Sequence, residues 1–203
     1  MTRQMLPAFL LCLAAAAPVF AAERVGAIPV SDILAAEDNV ADLSLGGSII
    51  ELTIGVAADG ETLVKLLHAG QQVSFRSSRL ARGADAALPH DTRLHLVLAG
   101  DTLTITTPGA PGVTLTMSEL LQRAYRNAVH FRAGSAEFAV LLEGSKDAPG
   151  AVSILRRDAA GGIQIQAFSA ADVRAIKTFA TVQGVDYGIR LEGDELAIYS
   201  GRR

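Results

Sequence analysis

Four histidines, His68, His90, His95 and His130, carry the most adaptable chemistry in this chain. An imidazole changes charge nearer neutrality than any other unperturbed side chain. His90 and His95 stand five residues apart with Asp91 between them. If the three met in one pocket they would supply a base and its orienting carboxylate, as an exported hydrolase needs. No histidine pair has the i, i+4 helical spacing that puts two imidazoles around one zinc ion, and exposed histidines are the better account of them. The serines lack a nucleophile's setting, since neither G-x-S-x-G nor S-x-x-K occurs. Ser48 follows two glycines but opens an apolar strand. Without G-x-G-x-x-G or G-x-x-x-x-G-K, nucleotide binding has no local support. The acidic turn of Glu192, Asp194 and Glu195 lacks the spaced oxygen ligands of a calcium loop and reads as a solvated hairpin tip. No catalytic residue, metal ligand or cofactor is assigned on this basis. A catalytic site assembled from distant residues stays open as an alternative to a non-catalytic role.

The most basic stretch runs from Arg76 through Ser77 to Asp91, where Arg76, Arg79, Arg82 and His90 stand among small residues. It is a candidate loop for an anion or an acidic partner. It also reads as an ordinary solvated loop, because arginines at loose spacing fix no geometry for a phosphate or a carboxylate.

Compartment and charge narrow the function classes. One early positive residue, Arg3, precedes an apolar run from Leu6 to Phe20 that ends in small residues before Glu23-Arg24. That layout predicts a signal peptide over residues 1–21, cut after Ala21 or Ala22, and a periplasmic or secreted product. The run falls short of the roughly 20 apolar residues a spanning helix needs, so no membrane span is expected after cleavage. Cys12, the only cysteine, would leave with the peptide, and neither disulfides nor thiol chemistry would remain. The formal net charge of −3 becomes −4 without Arg3. A general nucleic-acid binder needs a basic face instead.

The elements that must position these residues follow from periodicity. Residues 22–47 hold a short helix between Pro29 and Leu43, and Gly46-Gly47 breaks the chain. Residues 48–107 read as a first strand-helix-strand-strand unit. Its helix is predicted from Asp59 to Gly70 on the stripe of Leu63, Leu66 and Leu67, and its inserted loop covers residues 77–91. Leu94 to Thr107 forms a hairpin around Gly100-Asp101. Thr107 to Gly112, rich in proline and glycine, marks a boundary. A second unit, 113–143, has a helix opened by the capping box Thr116-x-x-Glu119 and striped with Met117, Leu120, Leu121 and Ala124. A third, 151–200, has a hairpin, then a helix on Val173, Ile176, Phe179 and Ala180, then a second hairpin.

The first and third units echo each other. Ala58 to Phe75 aligns without a gap on Ala170 to Tyr187, placing Lys65 on Lys177 and Phe75 on Tyr187. Leu98 to Ile105 aligns on Leu191 to Ile198, which leaves the earlier copy with the inserted loop. The expected class is α+β, with repeated units whose helices pack on small mixed or antiparallel sheets.

The run Ile163 to Tyr199 resembles the small periplasmic N-terminal modules of secretins and of signalling TonB-dependent receptors. The matching residues are Ala171, Asp172, Val173, Arg174, Phe179, Ala180, Gly184, Val185 and Tyr187, followed by the closing hairpin at Gly193-Asp194. The resemblance implies a non-catalytic docking unit that binds another envelope protein through strand edges or helix faces, with oligomers allowed. The chain stops at Arg203 without room for an outer-membrane barrel, so a pore or receptor function does not carry over. The runner-up readings are an exported hydrolase and a binder of small envelope ligands.

Overall fold

Strand takes up 64% of the described residues and helix 14%, in four small antiparallel sheets, which overturns the expected α+β class. The computed structural model describes residues 22–36, 39–144 and 149–202. The predicted signal peptide lies outside them, as do Lys146 and Asp147.

Three of the sheets are meanders of four consecutive strands, and the fourth is a three-strand meander joined by a distant strand. Sheet I holds β2 (Asn39–Leu45), β3 (Ser48–Val56), β4 (Thr62–His68) and β5 (Gln71–Arg76) in chain order. Sheet II holds β6 (Ala84–Leu88), β7 (Thr92–Ala99), β8 (Thr102–Thr107) and β9 (Ala110–Thr116). Sheet III holds β10 (Val129–Ala133), β11 (Ala136–Gly144), β12 (Pro149–Arg157) and β13 (Ile163–Ser169). Sheet IV holds β14 (Lys177–Val182), β15 (Val185–Glu192) and β16 (Glu195–Gly201), and is completed by the N-terminal strand β1 (Glu23–Pro29) against β16. Short helices link the sheets: α1 (Val30–Ala35), α2 (Ser77–Leu80), α3 (Met117–Asn127) and a single 3-10 turn, Asp172–Arg174.

Sheets I and II share one hydrophobic core, which α3 covers with Met117, Leu120 and Ala124. Sheets III and IV share a second core, which α1 joins through Ile33. Fully buried residues such as Leu96 and Leu103 in the first core and Val140 and Ile189 in the second hold each pair of sheets together. Each contributes about 2 kcal/mol by leaving water. The two sandwiches meet through sheets I and III, where Lys65 Nζ lies 2.6 Å from Glu143 Oε2 with both side chains largely shielded. Gly55 makes room for this pair, since a Cβ there would collide with the Glu143 carboxylate and lie 2.8 Å from the Lys65 stem.

Two of the predicted helices are strands. The run from Thr62 to His68 is β4, and the second half of the stripe expected from Val173 to Ala180, with Phe179 and Ala180, is in β14. The physical reason lies in the turns. Ala69 and Gly70 both have positive φ (48° and 78°), as do Gln183 and Gly184 (52° and 76°). That pair of conformations is the two-residue hairpin turn whose twist matches flanking strands, where a glycine closing a helix was expected. The predicted boundary at Pro108-Gly109 is likewise a hairpin turn, joining β8 to β9. The helix predicted from the Thr116-x-x-Glu119 capping box does form as α3, although Thr116 does not cap it. Its free N–H groups are met by Asp101 at the β7–β8 turn. The Met117 N–H donates to the Asp101 carbonyl (2.8 Å) and the Ser118 N–H to Asp101 Oδ1 (2.9 Å).

The order of elements runs twice through the chain. From β1 to β8 it reads strand, helix, four strands, helix, three strands, and β9 to β16 repeats it with a 3-10 turn as the second helical link. Each half lends its first strand to the other: β9 pairs with β8, and β1 pairs with β16. The register from Phe75 to Ile105 is a shift of 93 residues, Phe75 onto Phe168 and Ile105 onto Ile198. Leu80 matches Val173, both fully buried, and His90-Asp91 matches Gln183-Gly184, all four with positive φ. Gly100 matches Gly193, with φ of 60° and 59°. Residues 77–91, expected as an inserted loop, are therefore α2 and β6, the counterparts of the 3-10 turn and β14. The caps repeat too, since the Val30 N–H that opens α1 donates to the Asp194 carbonyl at 2.8 Å.

Candidate functional site

The residues of the basic stretch occupy different ends of neighbouring elements. Arg76 closes β5 and is bonded through Nη1 to Asp59 Oδ2 (2.5 Å) and Glu61 Oε2 (2.9 Å). Those bonds raise the Arg76 pKa, Asp59 contributing most. Glu61 also accepts from the Ser77 hydroxyl (3.3 Å) and the Ser78 N–H (2.6 Å). Its carboxyl is held at about 2 by Ser78 first and Arg76 after it. Arg79, on α2, lines a cleft of about 380 Å3 between β5 and β6. Arg82 is exposed between α2 and β6. His90 lies beyond the far end of β6, edge-on to His68 at 5.8 Å between ring centroids.

The histidine pair considered for hydrolysis is not assembled as expected. His95 finds its carboxylate across the strand, with Nδ1 2.8 Å from Asp85 Oδ1. Asp91 sits in the β6–β7 turn with His90. The His95–Asp85 pair borders an open groove of about 700 Å3 on the outer face of sheet II. Of the hydroxyls there, Thr106 is already bonded to the His95 carbonyl at 3.4 Å. Ser48 faces Thr92, its Oγ 3.4 Å from Thr92 Oγ1. In the acidic turn Glu192 and Glu195 both hold Arg24, pinning β1 to sheet IV. Among the described residues no group of three or more metal-ligating side chains is large enough to hold an ion.

A different feature stands out at the edges of the sheets, where unpaired backbone groups invite another strand and where proteins place blocking devices. Among the described residues four sheets give eight edge strands. β1 carries Glu23, Arg24, Pro29 and a register shift; β14 carries Lys177 and a shift. β2 carries Asp42 and a shift; β9 carries Pro111 and a shift. β5 ends in Arg76, β6 holds Asp85, and β10 holds His130 and Arg132. β13, Ile-Gln-Ile-Gln-Ala-Phe-Ser, has no charge, no histidine, no proline and no shift across its seven pairs with β12.

The local sequence builds this edge firmly. Asp158 organises the turn before it, accepting from the Ala160 and Gly162 N–H groups at 2.9 and 2.8 Å. The Gln122 side chain on α3 ties down the Gly161 carbonyl. Ile163 and Ile165 then pack toward Tyr125 of α3 together with Leu155. Burial, with a smaller part from Glu137, raises the Tyr125 pKa. At the far end Ser169 Oγ donates to Asp172 Oδ2 at 2.6 Å, and Lys177 Nζ lies 3.4 Å from the same carboxylate. Both lower the Asp172 pKa, Ser169 first.

Gln164 and Gln166 point to the other face, over a slot of about 320 Å3 between β13 and β14. Phe138, Ile154 and Phe179 form its apolar floor. Phe138 and Phe179 meet edge to face at 5.1 Å, and the Arg156 guanidinium sits 5.7 Å above Phe138. Sequence reading passed over this site because β13 looks like any hairpin strand. Its one signal was the absence of charge over seven residues.

No family model matches the chain, and no curated protein matches it.

Proposed function

We propose that this is an exported, non-catalytic docking protein of the bacterial envelope, which binds another protein by accepting one of its strands on the free edge of β13. Strand addition draws its affinity from main-chain hydrogen bonds and its selectivity from pockets under alternate side chains. One observation carries the reading: among the described residues β13 is the one edge strand of eight without a blocking device. The slot beside it supplies the pocket. The docking role expected from the secretin-type modules agrees with this use, and the predicted signal peptide would deliver the chain to the periplasm. Among the described residues no helix is long and apolar enough to cross a membrane.

The test is a photo-crosslinking residue placed at Gln164, on β13, and separately at Gln72, on the charge-ended edge β5. A discrete adduct from Gln164 alone, abolished by Gln166→Lys on the same strand, is the expected result. Equal adducts from both edges, or none from Gln164 in the producing cell, would overturn the proposal. The second reading, an exported hydrolase, has the His95–Asp85 pair in its favour. It predicts ester or amide turnover by the purified chain that His95→Ala abolishes.

A further inference from the structure

We propose that the segment docking on β13 is acidic at one end and apolar at its remaining slot-facing positions, with two adjacent carboxylates meeting Arg156 and Arg157. The inference rests on the strand-addition reading and adds the chemistry of the partner.

Successive residues of a strand point to opposite faces. Arg156 pairs with Gln164 and so shares the slot face, whereas Arg157 pairs with Ile163 and shares the α3 face. A strand added to β13 lies two strand spacings from β12, about 10 Å, which a long arginine and a glutamate span together. The residue opposite Gln164 would therefore face Arg156, and its neighbour opposite Ile163 would face Arg157. The next slot-facing residue, opposite Gln166, lies over Ile154, which pairs with Gln166.

Both guanidiniums are held in place without a carboxylate. Arg156 stacks over Phe138 (5.7 Å), and Arg157 stacks over Tyr125 (5.2 Å) while donating to Gln122 Oε1 (3.1 Å). Neither forms an ion pair among the described residues. Arg157 also borders a groove lined by Arg123, Arg126 and Glu119 of α3, in which three arginines outnumber one carboxylate and extend the net positive field beyond the end of β13. This patch sits on a chain of net charge −3, so its sign is local to this edge. A second copy of the chain is a poor occupant, because β13 brings no acidic residue of its own. Charge-assisted contacts to arginine are the stronger hydrogen bonds and give geometric selectivity.

The experiment uses residues 22–203 and fluorescent, end-blocked hexapeptides reading Glu-Glu-Thr-Val-Thr-Val and the reverse order, which cover parallel and antiparallel addition. Matched probes replace both glutamates by glutamine or by lysine. The expected result is saturable anisotropy with one glutamate probe, weakened about tenfold for its glutamine version and lost for lysine. Arg156→Gln and Arg157→Gln should each weaken the glutamate probe about tenfold and leave the glutamine probe unchanged, with melting temperature checked for both. Equal binding of glutamate and glutamine probes, both abolished by Gln166→Lys, would overturn the acidic partner and leave strand addition standing. Glutamate binding that survives an added proline at either Ile165 or Gln166 in a folded variant would overturn strand addition. Concentration-dependent dimerisation blocked by Gln166→Lys would instead make a second copy the occupant, and would overturn the inference.

Discussion

The corner between β5 and β6 and the corner between β13 and β14 occupy matching places in the two halves, yet one is clasped and the other is open. In the first, Arg76 at the end of β5 is bonded to Asp59 and Glu61, and Glu61 holds the start of α2. In the second, Arg76 is replaced by Ser169 in the same register, and the clasp shrinks to Ser169, Asp172 and Lys177. Under the first edge the core offers Ala86; under the second it offers Phe179. The same backbone plan therefore carries a clasped corner and an open one. The difference lies in a handful of side chains.

The sharpest way to break the comparison is to make the second corner like the first. Phe179→Ala installs the residue found at Ala86 and removes a ring packed against Phe131 and Phe138. Large-to-small changes of this kind cost about 3 kcal/mol. Urea unfolding should show that loss, and strand-probe binding should fall with the slot floor gone. A loss under about 1 kcal/mol would mean that Phe179 is not a core residue of the second sandwich.

If the halves are equivalent, the plugs beneath the two corners should behave alike. Leu80 and Val173 are both fully buried at the helical link between matching strands. Leu80→Ala should cost about 3 kcal/mol and Val173→Ala about 2 kcal/mol, scaling with the methyl groups removed. A negligible effect for Val173→Ala would deny the 93-residue register.

The contact between sandwiches tests where the equivalence ends. Gly55 and Glu143 are each the eighth residue of the matching nine-residue strands β3 and β11, but one has no side chain and the other holds Lys65. Glu143→Gln leaves Lys65 shielded without its partner and should cost about 1–2 kcal/mol, below the loss for a fully buried pair because both groups keep some solvent. Equilibrium unfolding at neutral pH measures it.

Parts of this plan were readable in the residues and parts were not. The hairpins at Gly100-Asp101 and Gly193-Asp194 were legible because a glycine with positive φ followed by aspartate, between alternating strands, has few other uses. Helix α3 was legible because its stripe is long and meets apolar surface on one side. β4 was misread because sheet I is covered on both faces. Val64 and Leu66 enter the core while Leu63 and Leu67 are half-shielded behind it, so Thr62–His68 shows no alternation and Leu63, Leu66 and Leu67 mimic a helical face. β14 was misread because Val173 plugs the core from a 3-10 turn, which extended the apparent stripe. The repeat was visible, but anchoring it on Lys65 and Lys177 slid the halves apart and created a loop from α2 and β6. Of the β13 edge only the uncharged run of seven residues was legible, since an open edge is defined by the strand that fails to pair with it.

The smallest effect concerns the clasp itself and is read through pH. In the folded protein the Glu61 carboxyl is held at about 2, against an ordinary value of 4.5. The folded state thus prefers the ionised form, and the unfolded chain binds the proton more readily. The contribution is present in full above the unfolded value and is lost as pH falls from about 4.5 toward 2. Asp59, lowered chiefly by Arg76, acts in the same direction. Glu61→Gln removes this titration, so the variant should lose less stability than the wild-type chain between pH 5 and pH 2.5, while Asp172→Asn in the open corner should remove a separate, parallel share. Hydrogen exchange at Ser78 should quicken in Glu61→Gln, because its N–H loses a charged acceptor 2.6 Å away. If the acid limb of Glu61→Gln overlays that of the wild type and Ser78 stays protected, the first edge is sealed by burial of Leu80 and Phe75, and the contrast between the corners rests on Ala86 and Phe179 alone.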